Sequence, residues 1–369
     1  VRARWVDPVL VGEVRFRQFT RGEDGRLRHT AWRGLRADRD PSEVTAPRAG
    51  RPSPPPADPP EITGQVTVKA GGRTLRLSNL DKPLYPDGTA KSEVIAYYSR
   101  IAPILLPHLR GRPVTFVRYP NGVRGPKFFQ KNADASAPDW LPTVPLRGGG
   151  SRRGADANEV VRYPLLHELA ALVWAANLAA LELHVPQWTV ADDGTRNPLN
   201  RLVFDLDPGP GTTIADCCRV AERLHDVLVA DGLIPVATTS GSKGLQVYAG
   251  IDTTNAQAPS VYAKAIAVAF EQETPEQVTA TMTKARREGN VLIDWSQNNP
   301  AKTTISPYSL RGRDEPTVAT PVTWDEVRGC REPEQLVFTT DDVLERVADI
   351  GDLFAPAHER RAPLPGHYT

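Results

Sequence analysis

The sequence predicts an α+β fold, with mixed β-sheets flanked by helices and a short β segment at the N-terminus. Three observations predict it. Strand-like and helix-like runs mix along the chain without a regular βαβ repeat. One apolar strand run carries two acidic residues at its end, Leu202-Val203-Phe204-Asp205-Leu206-Asp207. The 369 residues are 40% hydrophobic, which suffices for one large or two small cores.

The elements follow in order. Residues 1–40 read as short strands and turns, with β-branched enrichment in Val9–Phe16 and a turn at Gly22–Gly25; they are too few to bury a core of their own. Seven prolines between Pro47 and Pro60 predict an extended, semi-rigid linker over 46–64. A domain starts near Val66 with a hairpin, Val66-Thr67-Val68 and Leu75-Arg76-Leu77 turning at Gly71-Gly72. Val94, Tyr97, Tyr98 and Ile101 recur at helical spacing and predict a helix over 91–104. A strand at 114–117, a mobile loop at 145–158 and a buried apolar helix at 164–182 follow. Beyond the strand at 202–207, the turn Pro208-Gly209-Pro210-Gly211 leads into an amphipathic helix at 213–231. Strands at 235–239 and 245–249, two helices over 258–287 and a strand at 291–295 complete the reading. Residues 1–45, 46–64 and 65–365 are thus read as a β remnant, a linker and the main domain.

Composition excludes several classes. No run of about 18 apolar residues exists to cross a membrane as a helix, and no charged-then-apolar leader is visible. Cys217, Cys218 and Cys330 cannot form a disulfide framework, which fits a reducing cytoplasm, and no CxxC or CxxH pair suggests a zinc site. A Val start with a single Met, Met282, suggests a truncation or a non-standard start codon written as Val. The net charge of +1 hides an asymmetry: residues 61–131 carry 12 basic and 4 acidic residues, whereas 132–369 carry 21 and 32. Such a basic segment suits a polyanion and such an acidic one suits cations, although ordinary solvated surface gives the same counts.

Asp205 and Asp207 lie two apart on one strand, so both face one side while Leu206 faces the core. Paired carboxylates repel unless a cation or a proton neutralises them, and oxygen ligands suit magnesium or manganese. Asp294, at the end of the apolar run Val291-Leu292-Ile293-Asp294, joins them if its strand lies beside 202–207. Three such carboxylates fit a two-metal site for phosphoryl transfer; an isolated Asp-x-Asp is more often a turn or surface feature. Ser240-Gly241-Ser242-Lys243-Gly244 is either a phosphate-cradling loop with a lysine charge or a plain Gly-Ser hairpin. Arg287, Lys302, Arg311 and Arg313 flank Asp294 and suit a triphosphate, or form a solvated rim. His184 follows the apolar run and, on its own, reads as an ordinary core or surface histidine. Lys127-Phe128-Phe129-Gln130-Lys131 places aromatics between lysines, either to wedge against unpaired bases or as one core and one exposed ring. Lys82 and Lys91 bracket the turn Tyr85-Pro86-Asp87-Gly88, to hold a terminal phosphate or simply to lie on the surface.

Taken together, residues 66–365 resemble the polymerase domain of bacterial DNA ligase D, of the archaeo-eukaryotic primase superfamily. The motifs that carry the resemblance are Ser78–Pro86, Phe204–Gly209, Thr239–Leu245, Asp294–Asn298 and Lys302–Arg313, in that order. The resemblance implies a primase-like catalytic fold and a polymerase that adds NTPs or dNTPs to DNA 3′ ends in bacterial non-homologous end joining. It implies Asp205, Asp207 and Asp294 as catalytic metal ligands for Mn2+ or Mg2+. It also implies His184, Ser240, Lys243, Arg287, Gln297 and Arg311 as nucleotide contacts, Phe128 and Phe129 at template bases, and Lys82 and Lys91 at a 5′-phosphate. Ku and DNA ends with a 5′-phosphate are the implied partners, at the bacterial nucleoid in the cytoplasm. One departure stands out: the family usually has His where this chain has Gln246, which can hydrogen-bond but cannot become cationic. Residues 1–40 resemble the end of an ATP-dependent DNA ligase OB domain, with Arg28–Arg36 as its last motif. The Lys-x-Asp-Gly that supplies an adenylated lysine is nowhere in the chain, so sealing would need a ligase on another chain. A stand-alone primase-polymerase, or a non-catalytic DNA-end binding module, are the alternatives.

Overall fold

The computed structural model describes residues 12–15, 18–19, 27–28, 31–35, 65–133, 137–147 and 160–368. The chain divides into two units, Val1–Glu61 and Ile62–Thr369. In the first, β1 (Gly12–Arg15) pairs with β4 (Ala31–Leu35), and β2 (Gln18–Phe19) with β3 (Leu27–Arg28), all antiparallel. The linker expected over 46–64 lies outside the described residues.

The second unit opens with the hairpin β5 (Val66–Ala70) and β6 (Arg73–Leu77), as the Gly71-Gly72 turn predicts. Helix α1 (Lys91–Leu109) is followed by β7 (Thr115–Arg118), β8 (Phe128–Gln130), β9 (Thr143–Arg147) and β10 (Val160–Pro164). Next come α2 (Leu169–Asn177), β11 (Ala180–Val185), β12 (Trp188–Val190), β13 (Arg196–Leu199) and β14 (Arg201–Pro208). Then follow α3 (Ile214–Ala230), β15 (Pro235–Thr239), β16 (Leu245–Asp252), α4 (Ala258–Glu273), β17 (Val278–Thr279) and β18 (Val291–Asp294). The chain ends with β19 (Thr304–Ile305), β20 (Pro321–Val322), α5 (Trp324–Gly329), α6 (Thr340–Ile350), α7 (Pro356–Glu359) and β21 (Arg361–Pro363).

Two sheets organise this unit. One has the order β19-β11-β7-β8; the other runs β17-β18-β14-β16-β15-β20, with β21 pairing parallel to the far end of β16. Most pairings are antiparallel, so the fold is α+β with mixed sheets, as expected. Period-two alternation sorts β14 between two cores. Leu202, Phe204 and Leu206 pack with Cys217, Val220, Ala221 and Leu224 of α3, whereas Val203 joins Tyr248, Tyr98 and Phe116 in the other core. Asp205 and Asp207 share the Val203 face and sit where that apolar core runs out.

Four expectations need correction. Residues 164–182 are not one helix: α2 stops at Asn177, Ala179 takes a φ of 55°, and the chain re-enters as β11. An apolar run carries no periodicity to tell helix from buried strand, and no glycine marks the left-handed residue. Residues 258–287 hold one α-helix rather than two; β17 and a short 3-10 turn at Lys284–Arg286 replace the second. Helix α1 runs through Pro103 and Pro107 to Leu109, held by a buried face that includes Ile101, Leu105 and Leu109. The expected mobile loop begins within β9, and residues 148–159 lie outside the described residues.

Candidate active site

Strand β18 does lie beside β14. Their antiparallel register sets Asp205 directly opposite Asp294, with Asp207 two residues along on the same face. On its other flank, Asp205 faces Gln246 of β16, whose Nε2 donates to Asp205 Oδ1 at 3.0 Å. Gln246 Oε1 in turn accepts from Tyr248 Oη at 2.9 Å. Burial first, then the charge of Asp207, lifts the Asp205 carboxyl to about 7; burial and the charge of Asp294 also raise Asp207, against the lowering pull of Arg287 and Arg311.

Asp294 is held differently. Its Oδ1 accepts from Ser296 N at 3.0 Å and from Ser296 Oγ, while its Oδ2 accepts from Gln297 Nε2 at 2.7 Å. Lys302 Nζ donates to Ser296 Oγ and lies 3.8 Å from Asp294 Oδ2. Asn298 is fully buried; its amide bonds Val203 N, Val203 O and Trp295 O, at 2.9, 2.7 and 2.9 Å. Thus Asp294–Asn298 folds as a capped 3-10 turn anchored to the strand that carries Asp205. Among the described residues, no group of three or more His, Cys, Asp or Glu side chains is arranged as a ready metal cage. The donor chemistry nevertheless fits a hard divalent cation, because crowding two carboxylates that resist ionisation is the feature a bound cation relieves.

The expected nucleotide contacts gather around these carboxylates in part. Arg287 acts electrostatically on Asp207, and Arg311 on both Asp205 and Asp207. Gly209 brings the Arg287 segment in: a Cβ there would fall 1.6 Å from Arg287 O. The Nε atoms of both arginines and Gln297 Oε1 are buried without a hydrogen-bond partner. In the Ser240 loop, Ser242 N and Gly244 N both donate to Ser240 Oγ, at 3.3 and 3.1 Å, so these amides cap the loop itself. Lys243 is exposed at its tip. His184 lies on β11 of the other sheet, its Nε2 2.8 Å from Glu182 Oε2. Glu182 escaped the sequence reading: a helix at 164–182 puts it on a different face from His184, whereas a strand puts them side by side. Burial pushes its carboxyl up, but His184, the Arg311 charge and the Gly312 amide outweigh it and hold it down to about 2.

The basic segment forms a separate surface. Phe128 and Phe129 are 54% and 61% exposed on edge strand β8, so neither is a core ring; Lys127 Nζ sits 5.7 Å above the Phe129 ring. Lys82 and Lys91 are joined through their backbones, Lys91 N donating to Lys82 O at 2.9 Å. Lys82 Nζ donates to Asn121 Oδ1, whereas Lys91 is buried, bonds Asn177 O at 2.8 Å and is lowered to about 8, by burial and then by the charge of Lys82.

Residues 90–354 match the model of the LigD primase-polymerase domain. The chain belongs to this family. Residues 1–39 match the ATP dependent DNA ligase C terminal region. The chain is 46% identical over 297 residues to the multifunctional non-homologous end joining protein LigD of Mycolicibacterium smegmatis, covering 80% of this chain and 37% of that protein. It is 31% identical over 280 residues to the bifunctional LigD of Bacillus subtilis, covering 75% of this chain and 43% of that protein. The chain therefore spans well under half the length of these curated relatives. Among solved structures, the polymerase domain of Mycobacterium tuberculosis ligase D in complex with DNA superposes with a TM-score of 0.71 at 44% identity, covering 78% of this chain and 98% of that one. As a fold, the LigD polymerase architecture is the one seen here. Among the described residues, no helix is long and apolar enough to cross a membrane.

Proposed function

We propose that this chain is a DNA end-joining polymerase that adds NTPs or dNTPs to DNA 3′ ends, as part of a LigD system. The observation that carries the reading is the register of β14 and β18, which faces Asp205 with Asp294 and leaves Asp207 beside them. Asp205, Asp207 and Asp294 would hold Mn2+ or Mg2+, which supplies activation of the 3′-hydroxyl and charge stabilisation at phosphorus. Gln246 steadies Asp205 for that task, and the 3-10 turn steadies Asp294. Arg287 and Arg311, already within electrostatic reach of the carboxylates, serve the triphosphate, with Lys243 and the Ser240 loop beside it and His184 and Gln297 as further nucleotide contacts. Phe128 and Phe129 offer exposed faces for unpaired template bases, and the Lys82–Lys91 pair offers charge for a 5′-phosphate at a DNA end. The similarity to non-homologous end joining proteins of the LigD kind supports a place in that repair route; Ku and a DNA ligase would be the partners at the nucleoid.

Primer extension with manganese on a gapped DNA duplex tests the reading. Template-directed addition by the parent chain, lost in Asp205→Ala and in Asp294→Ala, is the expected result. Extension that survives both substitutions overturns the metal assignment, and synthesis without any 3′-hydroxyl would favour a primase.

A further inference from the structure

Glu182 makes a set of contacts that the polymerase reading does not use. It is 6% exposed and lies in the middle of β11. Its Oε1 accepts from Gly312 N at 3.0 Å and from Tyr119 Oη at 3.3 Å. Its Oε2 lies 2.8 Å from His184 Nε2 and 3.4 Å from Arg311 Nη1. An ionised carboxylate has about four acceptor positions, and here three hydrogen-bond partners and the Arg311 ion pair, from three segments, surround them. The approach is close: a Cβ on Gly312 would fall 2.1 Å from the Tyr119 ring, so a larger residue would have to push aside the ring whose hydroxyl bonds Glu182. Tyr85 Oη fixes the same loop by donating to Arg311 O at 2.8 Å.

We infer that Glu182 is a positioning residue, a carboxylate clamp that sets Arg311 and His184 for the nucleotide's polyphosphate and sugar. The inference rests on the polymerase reading for what those two side chains touch. A carboxylate only accepts, so the ring nitrogen that Glu182 holds carries the proton, and the opposite edge of the ring is turned to the ligand. Arg311 Nη1 lies beside Glu182, and the Arg311 charge also acts on Asp205 and Asp207. The Arg311 Nε is buried and without a hydrogen-bond partner, so the donors of this guanidinium are not all spent within the protein.

Charge and geometry predict opposite results, which makes the clamp testable. Removing a negative charge beside Arg311 would by electrostatics alone tighten the hold on a polyanion. A clamp predicts that Glu182→Gln weakens it. Equilibrium binding of ATP with manganese, measured on the full chain by calorimetry, should weaken on the order of tenfold, the scale of one charge-assisted hydrogen bond. DNA-end affinity should stay within about twofold of the parent, on the same scale of bond loss. The double variant Glu182→Gln with Arg311→Ala should lose less than the sum of the two single losses, because part of the clamp acts through Arg311 and the rest through His184. Unchanged or tighter ATP binding by Glu182→Gln, or additive losses in the double variant, overturns the inference. If Glu182→Gln fails to fold, long-range 1H–15N spectra of the parent's histidine rings decide, with His184→Ala giving the assignment: a proton on Nε2 supports the clamp, and a proton on Nδ1 alone overturns it. Failed primer extension by the parent would remove the polymerase reading while ATP binding and the ring spectra still report on the clamp.

Discussion

Replacing Asn298 by Ala tests how the candidate active site is held together. Strand β18 pairs with β14 from Pro208↔Val291 to Asp205↔Asp294 and then turns away into the 3-10 turn. Val203, two residues before Asp205, would then lose its neighbour on that flank. The Asn298 side chain takes its place, accepting from Val203 N at 2.9 Å and donating to Val203 O at 2.7 Å, as a further strand residue would. It also ties down Trp295 O at 2.9 Å. With the side chain fully buried, Asn298→Ala leaves an amide and a carbonyl of Val203 unpaired. An unpaired buried group costs about 1–3 kcal/mol, so a loss of about 3 kcal/mol is expected for the pair, given partial relaxation. At about 2–4 °C per kcal/mol for a domain of this size, the melting temperature should fall by roughly 6–12 °C. Thermal and urea unfolding followed by far-ultraviolet dichroism would measure it. Asn298→Asp should be no better, since it keeps the acceptor and sets a carboxylate against two carbonyl oxygens. A fall of less than about 1 °C for Asn298→Ala would refute the claim that this amide completes the sheet edge.

Other substitutions probe the charge and the surface. Because burial and Asp207 raise Asp205 to about 7, the metal-free folded chain binds a proton that the unfolded chain releases, and stability falls as pH climbs from about 4 through 7. Asp205→Asn should therefore raise the metal-free melting temperature at pH 8 and abolish the stabilisation that manganese gives the parent; no rise, or a retained manganese shift, contradicts this. Phe128→Ala should leave the melting temperature within about 1 °C while weakening single-stranded template binding by about 1–3 kcal/mol, since the exposed ring has little to lose on folding; equal losses of template and nucleotide binding would count against stacking. Lys82→Ala should erase any preference for a 5′-phosphorylated gap without loss of stability, whereas Lys91→Ala should also destabilise, because its buried ammonium bonds Asn177 O; identical melting curves for the two variants would refute that division.

The site was legible in the sequence wherever local spacing decides geometry. Asp205 and Asp207 share a face because a strand repeats every two residues, and the apolar run before Asp294 marked a strand able to lie alongside. The pairing itself, between residues 89 apart in the chain, was stated only as a condition, since register depends on the whole sheet. Where the sequence misled, it offered no periodicity. Residues 164–182 are apolar almost throughout, and the break at Ala179 rests on a left-handed backbone that alanine does not announce. That one misreading also hid Glu182, because a helix separates side chains two apart and a strand aligns them. The exposure of both Phe128 and Phe129 was one of two readings that spacing left open: on a short edge strand one face is expected to be buried, and here neither is.

The groups that would meet a cation or a nucleotide are already bonded to neighbours. Asp294 accepts from Ser296 and Gln297, Asp205 from Gln246, and Ser240 from two amides of its own loop. A bound cation would have to share or displace some of these bonds, Gln297 on Asp294 Oδ2 first, because Oδ1 already accepts two. Gln246 is the bond with least freedom to yield. Its Nε2 donates to Asp205 while its Oε1 accepts from Tyr248 Oη, whose oxygen lies 3.1 Å from Thr304 Oγ1, so rotating the amide would break a buried chain of three links. A histidine can make the same two bonds only in one neutral tautomer, since its cation would donate on both sides and turn the tyrosine hydroxyl into an acceptor, its proton swung toward Thr304. The neutral amide keeps one polarity at every pH, so the bond it donates to Asp205 keeps its direction across the pH range.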